Sequence, residues 1–224
     1  MKEYVSTLRL GVLASGRGSN FQSIIDAIAG KTLKAEIALL ITDNPTALSI
    51  GRAEKHGIEY LVIKPNEFGS KDEFYVRISG ELKHRGVDLV VLAGFMRIIG
   101  KPLIDVFPNR IMNIHPALLP AFPGLHSQKQ AIECGVRISG CTVHFVDEGM
   151  DTGPIIIQAA IPVYHDDTEE ILSERILKFE HKIYPEAIRL FSEGRIEVDG
   201  RTVKIKGNGP SEQSVVNPRV REFI

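Results

Sequence analysis

The sequence contains little cysteine, no long apolar run and no excess of charge of either sign. Its two cysteines, Cys134 and Cys141, have neither the spacing of a zinc ligand set nor paired histidines nearby. We therefore interpret them as reduced structural thiols, which are typical of a reducing compartment. No apolar stretch approaches the roughly 20 residues that a bilayer span requires, and no apolar signal region follows Met1. These absences exclude a membrane-spanning chain and lead us to expect a cytoplasmic protein.

The charge balance excludes another class of partner. The chain carries 27 basic and 28 acidic side chains, a formal net charge of −1. A protein that binds nucleic acid or an anionic membrane through its overall charge is usually strongly basic. We therefore expect neither a nucleic-acid partner nor a membrane partner.

The composition is otherwise that of an ordinary globular enzyme, with 43% hydrophobic and 25% charged residues among 224. No internal repeat and no linker divides the chain into two cores, so we predict a single domain over residues 1–206. Residues 207–224 are polar and contain glycine and proline, and we predict a loose tail there. The sequence leaves open whether the protein is a monomer or a homodimer.

The first half of the chain alternates strands with helices. The apolar run Leu8 to Ala14 leads into a glycine-containing loop, after which apolar residues recur at helical spacing. The cycle repeats through strands at 37–41 and 60–63 and helices at 47–55 and 71–84. The run Leu89 to Ala93 has no polar alternation, which is typical of a strand buried on both faces of a parallel sheet. We therefore predict an α/β fold with a Rossmann-like, mostly parallel twisted sheet and helices on both faces.

The second half predicts a different strand arrangement. A short helix at 102–107, a strand that leads to His115 and a helix at 126–133 come first. Strands at 138–146 and 155–163 follow, and their short link has no crossover helix, so they should pair antiparallel. The long helix that begins after Asp167-Thr168-Glu169-Glu170, a plausible capping box, should be kinked or split at Pro185. Its apolar face comprises Leu172, Ile176, Phe179, Ile183, Ala187 and Leu190. Residues 196–198 and 202–205 should form a small hairpin.

A histidine at a strand end is the first candidate for chemistry. Asn113 precedes His115 by two residues, so the amide and the imidazole project to the same side of an extended backbone. Pro116 and Pro120 then prevent regular structure from continuing. Such a pair could polarise a carbonyl and move a proton. On these residues alone, a structural histidine that caps a strand is at least as plausible.

The glycine loop is the second candidate. Gly16, Gly18, Ser19 and Asn20 lie between a strand and a helix, where successive backbone N–H groups can surround an anion. The loop is not a dinucleotide fingerprint, because Phe21 occupies the position of the third glycine, and it lacks the Gly-Lys-Ser/Thr of a P-loop. The simpler alternative is a glycine turn with Ser19 as the helix N-cap. We favour phosphate binding.

Two further loops complete the set of candidates. The glycines and proline of the acidic link 147–154 could be turn residues alone, with its three acids solvated. The link would meet His115 if an antiparallel neighbour brought both to one sheet edge, and its carboxylate would then fix the imidazole tautomer. Arg97 lies in an apolar loop, where an arginine is more often a surface residue than a ligand. Loops at the carboxyl ends of parallel strands nevertheless form ligand crevices, and apolar walls suit a flat heterocycle. We assign no role to His56, His84, His144 or His165, and we expect a metal-free mechanism.

Six motifs in chain order support a family assignment. They are ASGRGSN at 14–20, LAGFMRI at 92–98, NIHPALLP at 113–120, FPGLH at 122–126, VDEGMDTGP at 146–154 and EHKIYP at 180–185. Together they resemble the phosphoribosylglycinamide formyltransferases, a family of folate-dependent enzymes. The resemblance implies transfer of a formyl group from 10-formyltetrahydrofolate to glycinamide ribonucleotide in purine biosynthesis, by direct amine attack through a tetrahedral intermediate.

The resemblance also implies the roles of individual residues. Asn113, His115 and Asp151 would be the catalytic set. Gly18, Ser19 and Asn20 would hold the substrate phosphate, and Glu180 the ribose hydroxyls. The folate pocket would be lined by Arg97, Ile98, Ile99, Asp147 and Met150.

Three alternatives remain open on the sequence. A formyltetrahydrofolate deformylase uses the same fold and donor, but that family has a regulatory domain before the catalytic one, and only about seven residues precede the first strand here. Methionyl-tRNA formyltransferases add a carboxyl-terminal domain, for which the segment after Gly194 is too short. A non-catalytic module that binds a phosphorylated ligand is the third alternative.

Overall fold

The computed structural model describes residues 7–207, so most of the predicted tail lies outside the described residues. The predicted elements are present, with ends that differ by at most about two residues. The strands are β1 Leu8–Leu13, β2 Ala35–Thr42, β3 Tyr60–Val62, β4 Leu89–Leu92, β5 Ile111–His115, β6 Ile138–Phe145, β7 Ile155–Pro162, β8 Ile196–Asp199 and β9 Thr202–Ile205. The helices are α1 Ser19–Ala29, α2 Leu48–Lys55, α3 Lys71–His84, α4 Lys101–Val106, α5 Ser127–Glu133 and α6 Glu169–Ser192.

Seven strands form one sheet in the order β3-β2-β1-β4-β5-β6-β7. Strands β1 to β5 are parallel, whereas β6 pairs antiparallel with both β5 and β7. This confirms the predicted mixed sheet. Strands β8 and β9 form the separate hairpin that the sequence predicted.

Two hydrophobic cores cover the two faces of the sheet, as expected for strands that are apolar on both sides. One core joins alternate residues of β1 and β4, such as Leu10 and Val91, to α1, α5 and α6. The other joins the opposite residues, such as Val90, to α3 and α4. Helix α1 packs against α6 across the first face, which places the start of α1 beside the middle of α6.

The long helix α6 corrects part of one prediction and the whole of another. Of the predicted kink or split at Pro185, the split is wrong, because the helix continues from Glu169 to Ser192. Tyr184 holds this part of the helix to the sheet, because its hydroxyl lies 2.9 Å from two carbonyl oxygens, that of Leu92 at the end of β4 and that of Met112 within β5, and shares its single hydrogen between them. Phe179 was predicted on the buried face but is 37% exposed, and the ammonium of Lys182 lies over its ring. The N-cap is Thr168, whose side chain accepts from the Ile171 N–H.

The register of β5 decides where its polar residues lie. Leu92, the last residue of β4, pairs with Asn113, so β5 extends two residues beyond the neighbouring parallel strand. His115 therefore lies above the carboxyl edge of the sheet, where crevices form in open α/β folds. On the other side, Asn113 pairs with His144 of β6.

Candidate active site

A cavity of about 590 Å³ lies at this carboxyl edge. Its walls include Asn113, His115 and Asp151, three residues from two distant parts of the sequence. All of the residues expected in the folate pocket also line it: Arg97, Ile98, Ile99, Asp147 and Met150. The volume is in the usual range for small-molecule sites.

His115 is held at both ring nitrogens. It is 4% exposed, and its Nε2 is 2.8 Å from the carbonyl oxygen of Phe122. A carbonyl only accepts, so Nε2 carries a proton and donates it to Phe122. The other nitrogen, Nδ1, lies 3.4 Å from Oδ2 of Asp151. Nδ1 is therefore the nitrogen that faces the acid and the cavity.

Asp151 reaches this histidine for a reason that differs from the predicted one. His115 pairs with Thr142, so the end of β6 and the link that follows it leave the sheet near Met112 instead. The link folds back over β5, so that Asp151 lies beside Asn113 as well as His115. The predicted meeting is confirmed, but a shared strand edge is not its cause.

The carboxylate of Asp151 is fixed by backbone and side-chain donors. Its Oδ2 accepts from the Gly124 N–H at 2.8 Å, and its Oδ1 lies 3.4 Å from Nδ2 of Asn113. Asp151 has a φ of 55°, in the left-handed region that costs energy for a residue with a side chain. This backbone conformation is part of the turn that directs the carboxylate at β5.

His144 orients Asn113, and sequence reasoning missed it. Burial lowers the pKa of His144 below its usual value, so the ring is neutral at neutral pH. Its Nδ1 donates to the Phe145 carbonyl at 2.8 Å, which leaves Nε2 as an acceptor for the Asn113 Nδ2–H at 3.2 Å. The Asn113 amide nitrogen is thereby turned toward His144 and Asp151. The signal for this role is cross-strand pairing with Asn113, which no local pattern reveals.

We expect His144→Ala to lower kcat about tenfold, the usual effect of losing one neutral hydrogen bond, while KM changes little. Because His144 acts through Asn113, the loss should disappear when Asn113 is already alanine. Steady-state kinetics of the single and double variants measure this coupling. His165→Ala, which removes an exposed imidazole that contacts the neighbouring Asp166, serves as the control. Additive losses in the double variant would contradict the assigned role.

The proline loop after His115 is fixed by polar residues of β6 and β7. Thr142 Oγ1 donates to the Ala117 carbonyl at 2.7 Å and accepts from the Leu119 N–H. Gln158 Nε2 donates to the Leu119 carbonyl at 2.9 Å. The predicted stiffness of this loop thus comes from neighbouring strands as well as from its prolines.

The glycine loop has the geometry expected for an anion site. Gly18, not Ser19, is the N-cap of α1, with φ of 66° and no side-chain cap. A Cβ on Gly18 would lie 2.8 Å from the Cβ of Ser49, so only glycine fits. The first turn of α1 contains no acidic residue, and the first N–H bonded to a carbonyl in this turn is that of Gln22, to Gly18. The N–H groups of Ser19, Asn20 and Phe21 have no partner within the helix.

Asn20 and Glu180 meet beside this loop, although 160 positions separate them. Asn20 Nδ2 donates to Glu180 Oε2 at 2.7 Å. Glu180 is 6% exposed, and its burial raises the pKa of its carboxyl above the usual value. The Oδ1 of Asn20 is buried without a hydrogen-bond partner in the described residues. The residues predicted to bind phosphate and ribose are therefore together, outside the walls of the cavity.

Two contacts make the glycine loop and the cavity neighbours. The Ser15 N–H donates to the Gly94 carbonyl at 3.0 Å, and Ser15 Oγ accepts from the Met96 N–H at 3.1 Å. Ser15 begins the glycine loop, whereas Met96 lines the cavity. A ligand in the cavity and a ligand at the glycine loop would therefore lie on opposite sides of the loops that contain Ser15 and Met96.

Arg97 is less available than its position suggests. Its Nε is 2.5 Å from Oδ2 of Asp43, at the end of β2. This ion pair engages the guanidinium, so the backbone and the remaining side-chain atoms are what Arg97 offers to a ligand in the cavity. Within residues 7–207, no group of His, Cys, Asp and Glu side chains has the arrangement of a metal site. Over the same range, no helix has the length and apolar character of a membrane span.

Comparison with known proteins assigns the family. Residues 8–188 match the formyl transferase family. The chain belongs to this family. The phosphoribosylglycinamide formyltransferase of Bacillus subtilis (strain 168) is 45% identical over 181 residues, which cover 81% of this chain and 93% of that protein. The resemblance found in the motifs is therefore confirmed.

Other formyl transferases extend the comparison. The trifunctional purine biosynthetic protein adenosine-3 of Drosophila melanogaster is 47% identical over 83% of this chain, but the chain spans only 14% of that relative. The solved structure of glycinamide ribonucleotide transformylase 1 from Symbiobacterium toebii is 50% identical, with a TM-score of 0.88 over 89% of this chain and 94% of that one. A formyltetrahydrofolate deformylase from Pseudomonas syringae is 27% identical, with a TM-score of 0.83 over 90% of this chain and 66% of that one.

Proposed function

We propose that this chain transfers the formyl group of 10-formyltetrahydrofolate to the amine of glycinamide ribonucleotide in de novo purine biosynthesis. The observation that carries the proposal is the cluster of Asn113, His115 and Asp151 in a cavity that adjoins the glycine loop at the uncapped start of α1. An acyl transfer between a flat apolar donor and a phosphorylated amine needs a site of this kind. The similarity to phosphoribosylglycinamide formyltransferases supports the choice of substrates.

The reaction follows from the arrangement of the three residues. The substrate amine attacks the formyl carbon, and a C–N bond forms as the carbonyl electrons move to oxygen. Asn113 Nδ2–H donates to this oxyanion, and an imidazolium at His115 stabilises the same charge. The bond from the formyl carbon to N10 of the folate then breaks. The amine proton passes to N10 with the help of Asp151, which leaves formylglycinamide ribonucleotide and tetrahydrofolate.

The distances among Asn113, His115 and Asp151 are compatible with this chemistry. His115 Nδ1 and Asp151 Oδ2 are 3.4 Å apart, longer than a short hydrogen bond. Catalytic hydrogen bonds are often long without substrate and tighten in the complex. One Nδ2 hydrogen of Asn113 is fixed by His144, and the second, whose contact with Asp151 is also 3.4 Å, can turn to a formyl oxygen.

The two substrates occupy the two halves of the site. Gly18, Ser19 and Asn20 bind the phosphate through backbone N–H groups at the start of α1. Glu180 accepts from the ribose hydroxyls. The folate occupies the cavity, and the residues that contact it are Arg97, Ile98, Ile99, Asp147 and Met150.

A deformylase is the second candidate, because a solved deformylase shares the fold at 27% identity. Water would then replace the amine at the same cluster. A decisive assay supplies 10-formyltetrahydrofolate with and without glycinamide ribonucleotide and follows the appearance of tetrahydrofolate. Release that depends on the amine supports the formyltransferase. Release at an equal rate without the amine supports the deformylase, and binding without any release supports a non-catalytic module.

The setting of the enzyme completes the proposal. Its partners are the two small-molecule substrates, without nucleic acid or membrane, and it acts in the cytoplasm as a monomer or a homodimer. The single domain over residues 1–206 stays a prediction.

A further inference from the structure

Arg17 is a guanidinium without a partner, placed inside the glycine loop between Gly16 and Gly18. Its side chain is exposed and makes no hydrogen bond or ion pair with the residues that the structure describes. Other arginines of the protein are engaged: Arg85, Arg97 and Arg175 each contact a carboxylate. A free guanidinium beside an uncapped helix start is positioned to bind an anion.

Arg52 of α2 holds the loop from behind. Its Nε donates to the Arg17 carbonyl at 2.9 Å, and its Nη1 donates to Gln22 Oε1 at 2.9 Å. In a trans peptide the C=O of one residue and the N–H of the next point in opposite directions. Because Arg52 draws the Arg17 carbonyl toward itself, the Gly18 N–H points away from α2. Arg52 also adds a positive charge close to the loop, and no ion pair with a carboxylate within the described residues offsets it.

The loop needs both charges because its backbone carries only partial ones. A phosphomonoester has a charge between about −1.5 and −2 at pH 7. The helix start contributes roughly half a positive charge, and no acidic residue lies in the first turn of α1. Only a guanidinium adds a full charge in a fork that matches two phosphate oxygens.

Two buried polar atoms beside the loop also indicate a ligand. Asn20 is 8% exposed, and its Oδ1 has no partner in the described residues. The Oγ of Ser49 is likewise buried without a partner, and the Cα and Cβ of Ser49 are the nearest atoms to the Gly18 face. Buried polar groups are rarely unsatisfied in native proteins, so an occupant is expected here. The Ser49 hydroxyl can donate to a phosphate oxygen, whereas Asn20 Oδ1 only accepts and needs a donor such as a ribose hydroxyl.

We propose that Arg17 binds the phosphate of the amine substrate directly and that Arg52 positions the loop for it. This inference rests on the proposed function for the identity of the substrate. It makes the site selective for a phosphomonoester over the corresponding nucleoside. The Arg17 side chain contributes to this selectivity in addition to the backbone N–H groups of the loop.

The test compares glycinamide ribonucleotide with its dephosphorylated nucleoside as amine substrates. Arg17→Ala should raise KM for the ribonucleotide about 10- to 100-fold, the range for a hydrogen bond to a charged group, with kcat changed less than about threefold. KM for the nucleoside should not change. Arg17→Lys should have an intermediate KM, because it keeps the charge but loses the fork. Lys34→Ala, which removes an exposed charge before β2 at the opposite edge of the sheet, should match the wild type.

Arg52 has its own readout as a positioning residue. Arg52→Lys keeps a charge but cannot make both loop contacts, so KM for the ribonucleotide should rise while kcat and the nucleoside KM stay unchanged. An equal rise for both amines would show a general loss of structure and overturn its role. For Arg17, an unchanged KM, or an equal change for both amines, would overturn the inference.

A binding measurement separates this inference from the proposed function. Calorimetric titration of the folded protein with ribose 5-phosphate and with ribose needs no turnover. If wild type binds only the phosphorylated sugar and Arg17→Ala loses that binding, the assignment of Arg17 stands even if no amine-dependent formyl transfer is found. If Arg17→Ala binds ribose 5-phosphate as wild type does, the assignment is wrong, whatever the reaction is.

Discussion

Asn113→Ala is expected to lower kcat of formyl transfer by about 10²- to 10³-fold, the usual loss when one oxyanion donor is removed. The amide nitrogen lies at the centre of the site, 3.2 Å from His144 and 3.4 Å from Asp151. Its hydrogen bond to the formyl oxygen strengthens as negative charge develops, so its loss falls on kcat more than on KM. Steady-state kinetics with both substrates measure the two constants.

Matched variants make this result specific. Asn66→Ala removes an exposed amide in the turn before α3 and should leave kcat and KM unchanged. Thermal unfolding shows whether Asn113→Ala is folded, since Asn113 is only half-buried and its truncation removes little packing. A folded Asn113→Ala protein with near-normal kcat would refute the oxyanion assignment.

His115→Ala is expected to lose most turnover as well. The ring presents Nδ1 to Asp151 and to the cavity, while its Nε2–H is held by the Phe122 carbonyl. If the imidazolium and the carboxylate act as one unit, most of the rate is lost when either one is removed. The double variant His115→Ala with Asp151→Asn should then be little slower than the slower single variant, because residues of one catalytic unit are strongly non-additive.

The buried position of His115 requires a second variant. Alanine leaves a cavity and removes a hydrogen bond to the Phe122 carbonyl, so part of the loss could be structural. His115→Gln keeps an N–H donor for that carbonyl but cannot become a cation. We expect it to fold as the wild type does and still to lose most turnover. A double variant whose losses multiply would show that the two side chains act separately. A His115→Gln enzyme with near-normal kcat would refute a cationic role for His115.

Much of the fold follows from local patterns. Three local patterns led correctly to a mixed sheet covered by helices. They are the β4 run, which is apolar on both faces, the glycine loop before α1 and the short link between β6 and β7. Such features depend on burial and turn chemistry within a few residues. Pro185 and Phe179 show the limit of local patterns. At Pro185, packing of α6 against the sheet outweighs the helix-breaking tendency of proline. At Phe179, the same packing leaves exposed a residue that the periodicity placed on the buried face.

The site was predictable where its members share a motif. Asn113 and His115 lie two residues apart on one strand, and their common side follows from strand geometry alone. The place of Asp151 was correct, but for a different physical reason: the link leaves the sheet near Met112 and folds back over β5 to reach His115. Family resemblance supplied the role that local chemistry left undecided.

The sequence by itself determined the order of strands and helices, the glycine loop and the amide-imidazole pair, since each depends on residues close together in the chain. Only the tertiary structure brought His144 to Asn113, Glu180 to Asn20 and Arg52 to the Arg17 carbonyl. These contacts join positions 31, 160 and 35 residues apart. Strand register and helix packing set them, and both depend on how the whole core is filled rather than on any local pattern.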